Sequence, residues 1–387
     1  MNSSDKKIKI SLANPLKHRG FVMFTSTEKK ERASHVSNTY IFETDGNCYI
    51  IDTSCGGKRK RELKKFLGNK KNYTILCTHY HNDHIANNWF IAKRGTGIIY
   101  HKNAASKIPY LRTNSTGQIL KMYRDLDKEG FLTRLGFFTK KSARFLSGSS
   151  FASRFIMPPL LFIIAYIISF KNTGFMPSAR RKIKYLDPAE KKIIKLNETA
   201  LSGWIIDKNL YAFETPGHTD CHIIYYKADD KTLFCGDALN FLNPNDIQFG
   251  NIEETFSSID FIMELVINEK IETLASGHYH PIDGNDNAVK YIKDIKEKHE
   301  HVYSIIRSEL QKCGINLSFS EIFDMAGNLE DPVIKKLKRI SFPVSTLVFL
   351  DVFVYKLIAE IKKELMNSDT MENTLKCGEA ENRNLVP

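Results

Sequence analysis

A cluster of metal-ligand side chains constrains this chain more than any other feature of its sequence. His79, His81, Asp83 and His84 lie within six residues of each other, directly after the apolar run Tyr73–Cys77, which predicts a short buried strand. Imidazole nitrogens and carboxylate oxygens are the ligands that zinc takes in catalytic sites. Because burying four such groups without partners would be costly, the cluster predicts a metal site at the end of a strand.

Three later residues repeat the arrangement of a strand, a small residue and then a ligand. They are His218 after the predicted strand 210–214, Asp237 after 232–235, and His278 after 271–275. Loops at the edge of a rigid sheet are where catalytic groups concentrate. Together with the first cluster, these side chains form a set of seven, which is enough for two metal ions.

The order of predicted elements divides the chain into five parts. The segment Thr39–Asp52 predicts a hairpin around Asp45-Gly46, and Lys58–Leu67 predicts a helix. Strand patterns stop near residue 106 and resume at Leu201, which indicates an inserted helical region. The expected parts are the first half of a β-rich domain (1–105), a helical and partly apolar insert acting as a substrate lid (106–199), the second half (200–290), a helical C-terminal subdomain (291–366) and a disordered tail (367–387).

Composition limits the class of protein. A chain of 387 residues with 42% hydrophobic residues buries a sizeable core without disulfides or structural metals, so a metal cluster serves chemistry. The seven cysteines are scattered and form no CxxC pair, and no apolar segment of signal-peptide length follows Met1, so we expect a cytoplasmic protein with free thiols. The net charge of +12 comes from basic clusters spread along the chain, which favours a solvated surface and no nucleic-acid partner.

Two apolar stretches leave alternatives open. Phe155–Phe170 is short for a membrane-spanning helix and contains Pro158-Pro159, so we expect a buried or interface-lying helix, with peripheral membrane contact through 155–170 as the alternative. Val344–Ile361 is expected to join the core. The helices from Asp294 onward either pack against the β-rich domain or form a homodimer contact.

The motifs resemble those of the metallo-β-lactamase superfamily. Asp52 matches the first motif, His79-x-His81-x-Asp83-His84 the second, and the three later residues the third, fourth and fifth, in that order. The resemblance covers roughly residues 22 to 283 apart from the insert. It implies an α/β fold, the αββα sandwich, here with a helical insertion and a C-terminal helical extension.

The resemblance also implies a role for each residue. His79, His81 and His218 would bind one metal, Asp83, His84 and His278 would bind the other, Asp237 would bridge the two, and Asp52 would orient ligands from behind. Two divalent ions are expected, zinc first, with iron or manganese as alternatives. The run Pro216–His222 looks like that of glyoxalase II-like enzymes and lactonases, with Cys221 replacing a glycine, and His222 is expected to be structural.

The expected function is hydrolysis by a metal-bridging hydroxide, with Asp83 also holding the proton of the nucleophile. The aromatic and aliphatic insert favours a lipophilic small-molecule substrate with an ester, thioester or lactone bond. Tyr279 is a candidate donor to a substrate oxygen, although packing is the commoner role of such a tyrosine. Three alternatives stay open: a phosphodiesterase acting on a lipid or nucleotide, a single-iron sulfur dioxygenase, and a non-catalytic metal-binding scaffold.

Overall fold

The structure is a computed structural model that describes most of the β-rich part of the chain. The described residues are 15–25, 36–70, 72–92, 96–108, 140–161, 163, 182–197, 199–240, 252–313, 331–332, 361 and 365. Within them the strands form two seven-stranded sheets, each with its strands in chain order or its reverse.

The first sheet is antiparallel in its first half and parallel in its second. Each strand from β1 to β4 pairs with the next one in an antiparallel arrangement. The strands from β4 to β7 run parallel to one another and therefore need longer connections. Its strands are β1 (Leu16–His18), β2 (Phe21–Phe24), β3 (Thr39–Thr44), β4 (Asn47–Ile51), β5 (Thr74–Leu76), β6 (Gly97–His101) and β7 (Lys182–Leu186).

The second sheet is antiparallel except for the parallel pair β12 and β13. The helix Ile252–Asn268 connects that parallel pair. The strands are β8 (Lys192–Lys195), β9 (Ala200–Asp207), β10 (Leu210–Glu214), β11 (Ile223–Lys227), β12 (Thr232–Gly236), β13 (Thr273–Ser276) and β14 (Ile282–Asp283).

Helices of very different length surround the sheets. The longest, α6, has 29 residues, whereas α2 and α3 are single turns beside the histidine cluster. They are α1 (Gly57–Leu67), α2 (Asn82–Ile85), α3 (Asn88–Ile91), α4 (Lys140–Gly148), α5 (Ile252–Asn268) and α6 (Asn285–Cys313), with a π-helical turn at Ala152–Ile156.

Side-chain alternation along the strands produces four layers. Tyr40 and Phe42 of β3 point between the sheets, where they meet Tyr225 and Phe234 of the second sheet. The alternate residues of the first sheet pack on α1. Those of the second sheet pack on α5 and α6. Because each sheet buries both faces, the order of layers is helix, sheet, sheet, helix, which confirms the expected αββα sandwich.

Local sequence explains the predicted elements that the structure confirms. Asp45 and Gly46 have φ values of 48° and 77°, the left-handed backbone that a two-residue hairpin needs. The helix predicted at 58–67 begins one residue earlier, at Gly57.

The helical prediction for residues 106–199 is wrong at its C-terminal end. Residues 182–186 form β7 beside β6, and residues 192–195 form β8 beside β9. The alternation Lys-Ile-Lys-Tyr-Leu is the pattern of a strand at the edge of a sheet. Its lysines fit a basic helix as well, which is why the sequence predicted a helix there. The short strands β1 and β2 were also not predicted.

Other predictions lie partly or wholly outside the described residues. The apolar run 344–361 lies outside the described residues apart from the buried Ile361, and so does the tail 367–387. The helix α6 packs in the core through residues such as Ile292 and Val302. The lid role of the insert and the homodimer stay predictions. Cys48, Cys55, Cys77, Cys221 and Cys235 are all free and buried. No helix among the described residues has both the length and the apolar character needed to cross a membrane.

A buried charged pair ties α1 to the first sheet. The side chain of Arg59 is 3% exposed, and its Nε donates to Glu62 at 3.2 Å. Its Nη1 donates to the backbone oxygens of Phe24 and Ser37 and to Oγ1 of Thr39. The guanidinium therefore satisfies acceptors on two strands from a position in a helix.

Arg59→Met should lower the free energy of unfolding by about 3–5 kcal/mol, because it leaves a buried carboxylate without its partner. Glu62 would keep only Lys58, whose Nζ lies 4.0 Å away. Urea denaturation measures the change. Lys64→Met, an exposed position on the same helix, is the matched control and should change stability by less than about 0.5 kcal/mol. Equal effects of the two substitutions would contradict this account of α1.

Candidate metal centre

The candidate site lies where strands of both sheets end. β4 and β5 bring Asp52 and His79 from the first sheet, and β10, β12 and β13 bring His218, Asp237 and His278 from the second. His81 precedes α2, whose first turn carries Asp83 and His84. The structure thus brings all seven predicted ligands together, with Asp52 beside them.

The carboxylate of Asp237 is the centre of the cluster. Its Oδ2 lies 3.1 Å from Nε2 of His84 and 3.3 Å from Nε2 of His278. The same oxygen lies 3.7 Å from Nε2 of His218 and 3.9 Å from Nε2 of His79. One carboxylate therefore contacts both halves of the set, as a bridging ligand must.

The side chains form two groups that share this carboxylate, and within each group the ligand atoms lie within 4.8 Å of one another. In one group Nε2 of His218 lies 2.9 Å from Nδ1 of His81. In the other, Nε2 of His278 lies 3.2 Å from Asp83 Oδ2. The groups are His79, His81, His218 and Asp237, and Asp83, His84, Asp237 and His278.

The donor atoms fit metal ions. Ligands bound to one zinc ion at about 2.0–2.1 Å in a tetrahedron lie about 3.3 Å apart, close to the separations around Asp237. Nε2 of His79 and Oδ1 of Asp237 are buried and have no hydrogen-bond partner among the residues that the structure describes. A buried polar atom without a partner is costly, and a bound cation would satisfy both.

Burial and neighbouring charges set different protonation preferences in the two groups. Burial, with the neighbouring imidazoles, lowers the pKa values of His79 and His218 well below the usual range. Burial would also lower the pKa of His84 and His278, but the carboxylates of Asp237 and its neighbours outweigh it and raise them, for His278 to about 10. His79 and His218 are therefore already the neutral imidazoles that metals bind.

Asp52 supports the ligands from the side opposite the carboxylate of Asp237. Its Oδ2 lies 2.7 Å from Nδ1 of His84 and accepts a bond of 2.7 Å from Oγ1 of Thr78. Its Oδ1 accepts from the backbone N–H of Thr78. Asp52 has a φ of 50°, a strained backbone for a non-glycine residue. This geometry matches the orienting role that the sequence predicted for Asp52.

Two glycines leave room for Asp237 in the interior of the site. A Cβ on Gly277 would lie 2.1 Å from Oδ1 of Asp237, and one on Gly236 would lie 2.8 Å from Nε2 of His222. His222 accepts a hydrogen bond from the backbone N–H of Asp237 at 3.1 Å, while its Nδ1 lies 2.8 Å from Oγ1 of Thr215. His222 is therefore a positioning residue, as predicted.

Sequence reasoning missed two residues that position the site. Oγ1 of Thr78 lies 3.0 Å from Nδ1 of His79, and its place directly before the first histidine was the only available indication. Asn38 donates from Nδ2 to the backbone oxygens of Ser276 and Tyr279, and its N–H donates to Gly277. No local pattern predicts contacts between residues 241 positions apart. Tyr279 is half-buried, and its role toward a substrate stays a prediction.

Comparison with known proteins agrees with this arrangement of strands and ligands. The profile of the Metallo-beta-lactamase superfamily matches residues 34–278, which include every residue of the cluster. The chain belongs to the metallo-β-lactamase superfamily. The fold that the chain adopts is the fold of this superfamily.

Individual relatives are distant. The chain is 32% identical over 91 residues to a hydroxyacylglutathione hydrolase from Legionella pneumophila (strain Lens), a match that covers 23% of this chain and 36% of the relative. A beta-lactamase domain protein from Burkholderia ambifaria is 11% identical, with a TM-score of 0.53 over 92% of this chain and 89% of that one. The sec-alkylsulfatase Pisa1 from Pseudomonas sp. is 12% identical, with a TM-score of 0.50 over 88% and 49%. These structural likenesses show the fold alone.

Gly277→Ala should weaken metal binding about 10–100-fold, because the new methyl group displaces the central carboxylate of Asp237. Metal content after dialysis against a weak chelator, measured by elemental analysis, checks this. Gly148→Ala is the matched control, since no atom of the described residues lies within 4 Å of its added Cβ. A Gly277→Ala protein that keeps the metal content of the wild type would contradict the close packing described here.

Proposed function

We propose that the protein is a dinuclear metal-dependent hydrolase that cleaves an ester, thioester or lactone bond in a rather hydrophobic small molecule. The observation that carries the proposal is the pair of four-residue groups that share Asp237. A complete set of donors for two ions supports two metals per chain over one. It also supports catalysis over a scaffold role, since every donor position is filled by a nitrogen or oxygen ligand.

The bound ions would supply two effects, lowering the pKa of water toward neutrality and polarising the oxygen of the bond to be cleaved. The histidines would hold them, zinc being the first candidate and iron or manganese the alternatives. Buried imidazoles packed against β-strands are rigid, so the donor atoms would be held in position for the ions.

Asp83 is suited to move a proton. Its side chain is 19% exposed, against 2% for Asp237 and 0% for His278. Burial raises the pKa of Asp83, but His84 and His278 outweigh it and lower the pKa, so the carboxylate is ionised at neutral pH. A carboxylate beside His278 on a side chain that is partly exposed to solvent could accept a proton from the attacking water and release it to bulk water.

Carbon–oxygen or carbon–sulfur bond cleavage is favoured by the partial likeness to a hydroxyacylglutathione hydrolase, whose name denotes a thioester substrate. The run 216–222 lies in the loop that carries His218, and its Cys221 is buried rather than exposed to a substrate. The departure from glycine at Cys221 therefore changes packing behind the site and leaves the donor atoms in place.

The test is a hydrolysis screen of metal-loaded protein. The substrates are acyl thioesters of several chain lengths, lactones, a chromogenic β-lactam and bis-p-nitrophenyl phosphate. We expect turnover of thioesters or lactones that increases with acyl chain length. Turnover of the phosphodiester alone would overturn the proposed bond class and favour the phosphodiesterase alternative.

Asp237→Ala should abolish that turnover, because it removes the oxygen that lies between both groups of ligands. Asp229→Ala is the matched control, since the carboxylate of Asp229 lies in the turn between β11 and β12 and is 41% exposed. The control should keep wild-type kcat and KM. Retained turnover in Asp237→Ala would contradict the dinuclear mechanism whatever the substrate.

A further inference from the structure

A stripe of exposed apolar side chains runs along the segment after α4. Phe151, Phe155, Pro159 and Ile163 follow each other at four-residue spacing, with Ile156 beside them. The phenylalanines are 64% and 59% exposed, and Ile163 is 52% exposed. The rings of Phe151 and Phe155 lie 5.4 Å apart, so the spacing in sequence is a continuous stripe in space. We call these five residues the apolar stripe.

The other face of the same segment is buried in the protein. Ala152, Met157 and Leu161 are 4%, 0% and 1% exposed, and the last two belong to the cluster that includes α5 and α6. The segment is therefore anchored along its length with one face in the core. A helix held in this way lies parallel to the protein surface and presents its outer face to whatever approaches.

Positive charge accompanies the stripe. Arg154 lies within it, with its guanidinium carbon 5.6 Å from the centre of the Phe155 ring. Lys141 and Arg144 are exposed on the preceding helix α4. Lysine and arginine stems pack on apolar surface while their charged ends reach polar groups, which suits a boundary between an apolar and an anionic phase.

The charge of the surrounding sequence has one sign. Residues 130–186 contain ten lysine or arginine residues and no aspartate or glutamate. Basic residues are spread along the whole chain, but this interval lacks the acidic ones that neutralise them elsewhere. Of the net charge of +12, the rest of the chain carries only +2.

From the apolar stripe and its basic surroundings, we infer that this face docks on an anionic phospholipid bilayer. Phenylalanine and isoleucine would enter the boundary between headgroups and acyl chains, and the basic side chains would contact lipid phosphates. The segment would lie in the plane of the membrane, because its opposite face stays in the protein core. The inference is independent of the proposed reaction.

A second copy of the chain fits this face less well. Two such faces brought together would place Lys141, Arg144 and Arg154 of one copy against the same residues of the other, and like charges in contact oppose association. A bilayer containing anionic lipid supplies both an apolar interior that matches the stripe and a negative charge that complements the basic side chains around it.

Flotation of the full-length protein with vesicles tests the inference. One set of vesicles is phosphatidylcholine alone, and the other contains phosphatidylserine as well. We expect the protein to float with the anionic vesicles, weakly or not at all with the neutral ones, and less as salt concentration rises. Absence of flotation with anionic vesicles at low salt would overturn the inference.

Two double variants distinguish binding through the apolar stripe from non-specific hydrophobic binding to vesicles. Phe151→Ser with Phe155→Ser should weaken binding to anionic vesicles at least about tenfold, since it removes two exposed rings. Ile193→Ser with Ile205→Ser, at positions 68% and 55% exposed on β8 and β9, is the matched control and should bind as the wild type does.

Charge reversal at Lys141→Glu and Arg144→Glu should remove the preference for anionic lipid. Equal losses in the stripe variant and the matched control would overturn the inference, as would a stripe variant that binds vesicles like the wild type. Sedimentation equilibrium provides a further check. A wild-type dimer that the stripe variant converts to a monomer, without vesicle binding, would assign the face to self-association instead.

Discussion

The position of one buried carboxylate governs the arrangement of the whole site. Oδ2 of Asp237 lies within 3.1–3.9 Å of four imidazole nitrogens that come from both sheets. The carboxylate raises the pKa values of His84 and His278, whose positive charge in turn compensates its burial. His79 and His218, whose pKa values are lowered, offer it neutral imidazoles on the other side. A cation bound there would take the place of the protons, which makes the cluster a natural place for metal ions.

The sandwich and the site depend on the same contacts. Asp52, at the end of a first-sheet strand, reaches Asp237 of the second sheet through the two nitrogens of His84. Asn38 crosses between the sheets in the same way, from the start of β3 to the loop that carries His278. Loss of either connection would loosen the fold and displace ligands, so stability and metal affinity are coupled in this protein.

Local spacing explains how much of the fold and site could be predicted. The ligand pattern is local in sequence, so it could be predicted. It lies within the six residues from His79 to His84 and in the turns directly before His218, Asp237 and His278. The border strands β7 and β8 were missed because their lysine-rich sequences match a basic helix equally well. Asn38 and Thr78 were missed because their contacts link residues whose proximity exists only in the folded chain.

Anomalous X-ray diffraction from crystals of the metal-loaded protein tests the central claim most directly. The account predicts two metal peaks per chain, one among His79, His81 and His218 and one among Asp83, His84 and His278, with the carboxylate of Asp237 in contact with both. A single peak held by the first three histidines and Asp237, with the second group empty at saturating metal, would contradict it and favour the single-metal alternative.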